Sequence, residues 1–258
     1  MKDNIYFLTD AHLGSGTDSA QRELDLANFL EAIEDDACTL FLLGDMFDFW
    51  FTYRRVVPKG YIRFLGALDH LARSGTEIHY FIGNHDMWLF DYLQSTLGIV
   101  MHTQPETLLL QGRTITMGHG DGLDPHDRHY LFLRRMFRCQ FNQKLFASVP
   151  PSIGMAIADR WSHQSRASHQ SGDYSYRGDE QENIYQWCKR HLKEHPCDYY
   201  VFGHRHVAVE RPISVTASDG SQRNATYVNV GEWISHRHYA ILTNGVLQLK
   251  EYQGSPLP

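Results

Sequence analysis

The sequence predicts an α/β fold, a four-layer αββα sandwich of two mixed sheets with an inserted helical cap. Three observations predict it. Short apolar runs alternate with amphipathic helical patterns through the first half of the chain, which implies parallel strands covered by helices. The C-terminal part carries short strands closed by an Asn-Gly turn, which implies antiparallel pairing there. Between the two lies a stretch from Asp124 to Gly178 with no strand signal.

The elements follow in order. Ile5–Thr9, Leu40–Leu43, Ile78–Ile82, Thr114–Met117 and Tyr199–Phe202 are apolar runs of strand length, each ending in small or polar residues. Ala20–Ile33 and Tyr61–Ala72 space their apolar residues by three and four, as a helix lying on a sheet requires. Thr226–Val230, Tyr239–Leu242 and Val246–Leu249 are the later strands, the last two joined by Thr243-Asn244-Gly245. The strandless segment holds aromatics at helical spacing (Tyr130, Phe132, Phe137, Phe141, Phe146), then Pro150-Pro151, then a second predicted helix, Ile153–Trp161. Residues 1–123 and 179–258 read as the core and 124–178 as the cap.

The chain has 258 residues, 42% hydrophobic and 21% charged, enough to bury a large core without staples and too ordinary for disorder. Its net charge of -6 argues against a protein held on nucleic acid by its overall field. The charge is uneven: Arg128–Arg166 carries +6, leaving -12 for the rest. Cys38, Cys139, Cys188 and Cys197 form no Cys-x-x-Cys pair, so a zinc knuckle or redox motif is not expected and a reducing compartment is. No signal-peptide pattern and no run long enough to span a bilayer is read, so a cytoplasmic location is expected.

Sixteen histidines are the compositional anomaly. Five motifs account for part of it, each following an apolar run: Asp10-Ala11-His12, Gly44-Asp45-Met46-Phe47-Asp48, Gly83-Asn84-His85-Asp86, Gly118-His119-Gly120 and Gly203-His204-Arg205-His206. Layered α/β folds gather their sites outside the carboxyl ends of strands. Gathered there, Asp10, His12, Asp45, Asn84, His119, His204 and His206 supply imidazole and oxygen ligands for two divalent ions. A mixed N/O set without thiolate suits Mn, Fe or Zn better than Ca. Two such ions about 3.5–4 Å apart clamp the attacking and leaving oxygens of a phosphoester displacement.

This series of motifs resembles the calcineurin-like metallophosphoesterase superfamily. The resemblance implies that Asp10, His12, Asp45 and His206 hold one metal, and that Asp45 bridges to a second held with Asn84, His119 and His204. It also implies a catalytic His85 that protonates the leaving group, oriented by Asp86. Within the superfamily, Phe41–Trp50, the Gly118 motif, Asp127 with Tyr130, Leu145–Pro150, Ile157–Arg160 and Ser165-Arg166 resemble the UDP-2,3-diacylglucosamine hydrolase family of lipid A biosynthesis. That resemblance implies cleavage of a lipid-linked nucleotide diphosphate to UMP and lipid X, with Mn2+ as the expected metal and the cytoplasmic face of the inner membrane as the working surface. It places substrate contacts at Asn84, His85, Asp127, Ser165, Arg166, His169 and His204. Asp127 equally reads as the cap of a helix beginning near Arg128.

One residue departs from the branch. Its best-studied members carry Arg in the third motif where this chain has His85. Arginine clamps phosphate as a fixed charge, whereas histidine can move a proton. A phosphoesterase acting on another nucleotide diphosphate or phosphodiester therefore stays open as the alternative. A non-hydrolytic scaffold and a nuclease are weaker rivals. All the ligand positions are filled, and the cap aromatics fall at helical spacing rather than as a base-stacking platform.

Overall fold

The structure is a computed structural model that describes residues 2–157, 160 and 175–254. Two sheets stack face to face. The first has six strands in the order β11-β10-β1-β2-β3-β4, where β1 is Asn4–Leu8, β2 Ala37–Leu42, β3 Glu77–Phe81, β4 Val100–His102, β10 His238–Thr243 and β11 Val246–Glu251. The second has five in the order β5-β6-β7-β9-β8, where β5 is Glu106–Leu110, β6 Arg113–Gly118, β7 Tyr199–Phe202, β8 Val209–Thr216 and β9 Gln222–Asn229. β1 to β4 run parallel and β10–β11 is an antiparallel hairpin; β6, β7 and β9 run parallel with β5 and β8 antiparallel at the edges. Both sheets are mixed, as the sequence predicts.

Strand alternation decides which side chain enters which layer. Ile5 and Phe7 of β1 face the second sheet and meet Phe41, Phe81, Ile115, Met117, Val201 and Val228 in the inter-sheet core. Tyr6 and Leu8 face outward and pack under α1 (Ser19–Ala32), α2 (Ile62–Arg73) and α3 (Tyr92–Leu97), against Leu26, Phe29, Phe64 and Leu68. On the far side α7 (Asn183–Glu194) sets Ile184, Tyr185, Cys188 and Leu192 on Tyr200, Phe202 and Tyr227. Each large apolar side chain fully buried this way contributes roughly 1.5–3 kcal/mol. The chain closes on a two-residue turn in which Asn244 and Gly245 both have positive φ, 52° and 76°. Thr243 pairs with Val246 across it, the hairpin that Asn-Gly foretells.

Among its described residues the segment 124–178 carries three helices and no strand: α4 (Arg128–Arg138), α5 (Gln140–Ala147) and α6, described over 151–157. The single aromatic stretch of the sequence is thus two helices, parted at the extended Cys139. Phe137 and Phe146 anchor them on Phe51, Tyr53 and Trp88, and the Trp88 indole donates to the Phe137 carbonyl at 2.9 Å. Neither α4 nor α5 buries a residue fully; Phe132, Phe141 and Leu145 are 60%, 73% and 62% exposed. Ser165, Arg166 and His169 lie outside the described residues.

Candidate metal centre

Every motif sits where a strand of one sheet or the other ends. β1 delivers Asp10 and His12, β2 Asp45, β3 Asn84 and His85, β6 His119, and β7 His204 and His206. The chain must reverse sharply at each of these turns, and it does so at a cost. Asp10, His12, Asp45, His204 and His206 all have positive φ, between 43° and 69°. Non-glycine residues there are held by their surroundings and mark functional sites. The motif glycines make the crowding possible. A Cβ on Gly44 would lie 2.8 Å from both the Gly83 nitrogen and His119 Nδ1, and one on Gly203 would strike Thr9 and Asp10.

The carboxylates share one arrangement, with one oxygen held by the protein and the other presented. Asp10 Oδ2 accepts from Thr9 Oγ1 at 2.6 Å and from the His204 amide at 2.8 Å. Its Oδ1 is buried, accepts no hydrogen bond among the described residues, and lies 3.1 Å from His206 Nε2 and 3.7 Å from His12 Nε2. Asp45 Oδ1 accepts from the His85 amide at 2.8 Å. Its Oδ2 stands between His119 Nε2 at 3.3 Å and His12 Nε2 at 3.8 Å, where a bridging ligand must be.

The imidazoles are oriented the same way. His119 Nδ1 donates to the Leu43 carbonyl at 2.9 Å, which leaves the lone pair on Nε2. That nitrogen faces Asn84 Oδ1 at 3.1 Å, His204 Nδ1 at 3.2 Å and Asp45 Oδ2. His12 Nδ1 meets Asp48 Oδ1 at 3.3 Å, so its Nε2 faces His206 Nε2 at 3.3 Å and Asp10 Oδ1. Imidazole nitrogens and carboxylate oxygens converging at such distances suit cations between them. Asp10 with His12 and His206, and Asp45 with His119 and His204, each have ligand atoms close enough to hold one ion. The residues fit two divalent ions that share Asp45.

The electrostatics agree. Burial alone would raise the Asp45 carboxyl, but His119, His85 and His12 hold it far below the carboxylate range; Asp10 is lowered likewise, chiefly by His206. Burial would lower His12, yet Asp10, Asp48 and Asp45 lift it to about 10. His119 is raised well above 6.5 against its own burial, mainly by Asp45. His204, farther from compensating charge, falls to about 4 through burial and the neighbouring His119. The cluster attracts positive charge, and a divalent ion would meet that demand by displacing the protons that His12 and His119 otherwise hold.

His85 stands beside these ligands with its ring on the adjoining cavity. Burial lowers its pKa, so it is neutral near pH 7. Here the structure corrects the sequence reading. Asp86 does not orient His85; its carboxylate accepts from the Gly83 and Met46 amides, each at 2.9 Å, and from the Tyr80 hydroxyl. Asp86 therefore ties the third motif to the second, and burial, then Asp45, raises it to about 7. The orienting group is Asp48, whose backbone carbonyl receives His85 Nδ1 at 2.9 Å while its carboxylate faces His12. Asp48 closes the second motif, so it was legible as a residue but not as a partner of two histidines.

The cavity beside the centre encloses about 780 Å³. Asn84, His85 and His204 line it at the metal end, and Phe49, Met87, Trp88, Leu133 and Phe137 form an apolar wall. Asp127 serves both readings: its Oδ1 caps α4 by accepting from the Tyr130 amide at 2.9 Å, and its side chain lines the cavity. Sequence reasoning missed the polar wall. Tyr130 donates to Asp121 at 2.8 Å, Arg134 lies 3.1 Å from the same carboxylate, and Arg205 makes a two-pronged pair with the buried Glu182 at 2.7 and 3.0 Å. Asp121 follows the Gly118 motif directly, the one available signal; Glu182 had none.

The calcineurin-like phosphoesterase family model matches residues 4–208, and the chain belongs to that family of metal-dependent phosphoester hydrolases. Among its relatives is the UDP-2,3-diacylglucosamine hydrolase of Porphyromonas gingivalis, 36% identical over 98% of this chain and 99% of the relative. The enzyme of the same name from Edwardsiella ictaluri is 28% identical over 89% of this chain and 85% of its own. That from Serratia proteamaculans is 27% identical over 89% and 91%.

Proposed function

We propose that the protein hydrolyses the diphosphate of UDP-2,3-diacylglucosamine, giving UMP and 2,3-diacylglucosamine 1-phosphate. The observation that carries the reading is the similarity to the Porphyromonas gingivalis hydrolase, which spans the cap as well as the centre. The cap is the part that a two-tailed sugar substrate would require. The wall of Phe49, Met87, Trp88, Leu133 and Phe137 suits acyl chains, at about 0.8 kcal/mol per buried CH₂.

Asp10, His12, Asp45 and His206 would hold one ion and Asp45, Asn84, His119 and His204 the other, with Mn2+ the expected metal. Two such ions, when bound, polarise phosphoryl oxygens and acidify water. The chain's own residues do the rest. Asp45, anchored through Oδ1 by the His85 amide, presents Oδ2 between His119 and His12 and so would set the spacing of the two halves. As the water oxygen bonds to phosphorus, the bridging oxygen leaves with the bonding pair. His85, neutral with Nδ1–H committed to the Asp48 carbonyl, has a proton-free Nε2 that would take up the proton the attacking water loses and pass it to the leaving oxygen. The apolar wall keeps bulk water from the scissile bond.

The working surface is the cytoplasmic face of the inner membrane. No helix among the described residues is long and apolar enough to cross a membrane. The cap instead exposes Phe132, Met136, Phe141, Leu145, Ile153 and Ile157 beside Arg128, Arg135 and Lys144. Such a face suits an anionic lipid surface. The test is UMP release from UDP-2,3-diacylglucosamine in detergent with Mn2+ added. Hydrolysis of bis-p-nitrophenyl phosphate without UMP would overturn the substrate and leave the reaction class. Inactivity of folded, metal-loaded protein on both would overturn the enzyme.

A further inference from the structure

Away from the centre, three metal-binding side chains meet at the rim of the six-stranded sheet. His238 opens β10, and its register partner across the hairpin is Glu251, the last residue of β11. His236 lies two residues earlier, with its ring parallel to that of His238 at 4.9 Å and its Nδ1 3.3 Å from Glu251 Oε1. One ligand atom from each lies within 4.8 Å of the others. We propose that His236, His238 and Glu251 form a third metal site, which takes one borderline divalent transition ion of the Zn2+ kind.

The scaffold is already rigid. Arg237, between the two histidines, is drawn to the other side by Asp25 at 2.9 Å and by the Trp233 carbonyl at 2.9 Å, so its neighbours share a face. Glu232 accepts from the Ser235 and His236 amides at 2.8 and 2.9 Å and fixes the approach to β10. The Tyr252 amide donates to the Arg237 carbonyl at 2.8 Å and fixes the end of β11. His238 Nδ1 is buried and has no hydrogen-bond partner among the described residues. Two imidazoles and one carboxylate, with exposed His236 and Glu251 leaving room for water, match the three-ligand zinc pattern.

Such an ion would clamp the rim to the loop that backs the centre, since Trp233 donates its indole N–H to the His238 carbonyl and its amide to the Asp10 carbonyl. The test is a difference in metal content, independent of how many ions the centre holds. Chelator-stripped wild type, His236→Ala and Glu251→Gln are equilibrated with Zn2+, and bound metal per chain is counted. Wild type should carry one ion more than either variant. Both altered residues are exposed, and both variants should keep Mn2+-dependent turnover of bis-p-nitrophenyl phosphate. Equal metal content in all three proteins overturns the site. Loss of turnover along with the ion would overturn its separation from the catalytic centre.

Discussion

Asp45 is the residue on which both halves of the proposed centre would depend, because one oxygen is anchored and the other faces histidines on either side. Asp45→Ala should cut turnover below a few per cent of wild type and lower bound Mn2+, measured by phosphodiester hydrolysis and metal analysis; turnover above that level would contradict the bridging role. Asp48 acts through two rings. Asp48→Ala removes the carboxylate behind His12, and outer partners of this kind are worth about 10–100-fold in metal affinity or activity. Its backbone carbonyl stays, so the His85 contact should survive. His85→Ala should lose about 10²–10⁴-fold in turnover, the range of general acid–base groups, while metal content holds. The distinction between Asp48 and Asp86 was invisible in sequence. Both follow a motif glycine, and only the packing of the two turns tells which one faces a histidine ring.

At the scale of elements, α1 supports the first motif through Arg22, whose guanidinium is buried and donates to the His12 and Ser15 carbonyls at 3.1 and 2.5 Å. Arg22→Met should destabilise the fold, since two buried acceptors lose their donor at about 1–3 kcal/mol each. Denaturant unfolding reads this directly, and an unchanged midpoint would contradict it. The pairing of β3 with β4 carries a pH dependence. His79 Nδ1 and His102 Nε2 are 2.9 Å apart, stacked on Phe41 and Phe81, and burial lowers both pKa values. A histidine lowered by folding binds fewer protons folded than unfolded, so its penalty appears as pH falls below about 6.5. Melting temperature should fall with acid in that range, and His79→Phe should flatten the fall. β8 shows why some elements escaped the sequence reading. Pro212 interrupts its apolar pattern, yet an edge strand tolerates proline on its unpaired side. β5 occupies the other edge of the same sheet and leaves Glu106, Thr107 and Leu109 exposed, so it lacks the buried apolar run of a central strand.

For the whole molecule, the sandwich gathers the candidate metal centre, and the proposed lipid-facing surface would fall on the helices of the 124–178 segment. Phe132 and Phe141 sit on separate cap helices, both largely exposed, while Phe137 and Phe146 hold the same helices to the core. Phe132→Asp with Phe141→Asp should weaken co-sedimentation with anionic vesicles and leave turnover of bis-p-nitrophenyl phosphate unchanged. Equal retention on vesicles would contradict the membrane-facing assignment.

The sequence by itself determined the layers, the motifs and the ligand types, because strand length, alternation and Asn-Gly turns act locally and ligand chemistry belongs to the side chain. It also placed each candidate ligand at a strand end. Only the tertiary structure decided which oxygen of Asp10 and Asp45 is presented, that five of these residues are held at positive φ, that Asp48 rather than Asp86 turns toward His85, and that Glu182 and Arg205 pair beside the cavity. Those facts come from residues distant in the chain meeting at one edge of two stacked sheets. Their geometry is set by how the sheets pack, and no local pattern in the chain encodes it.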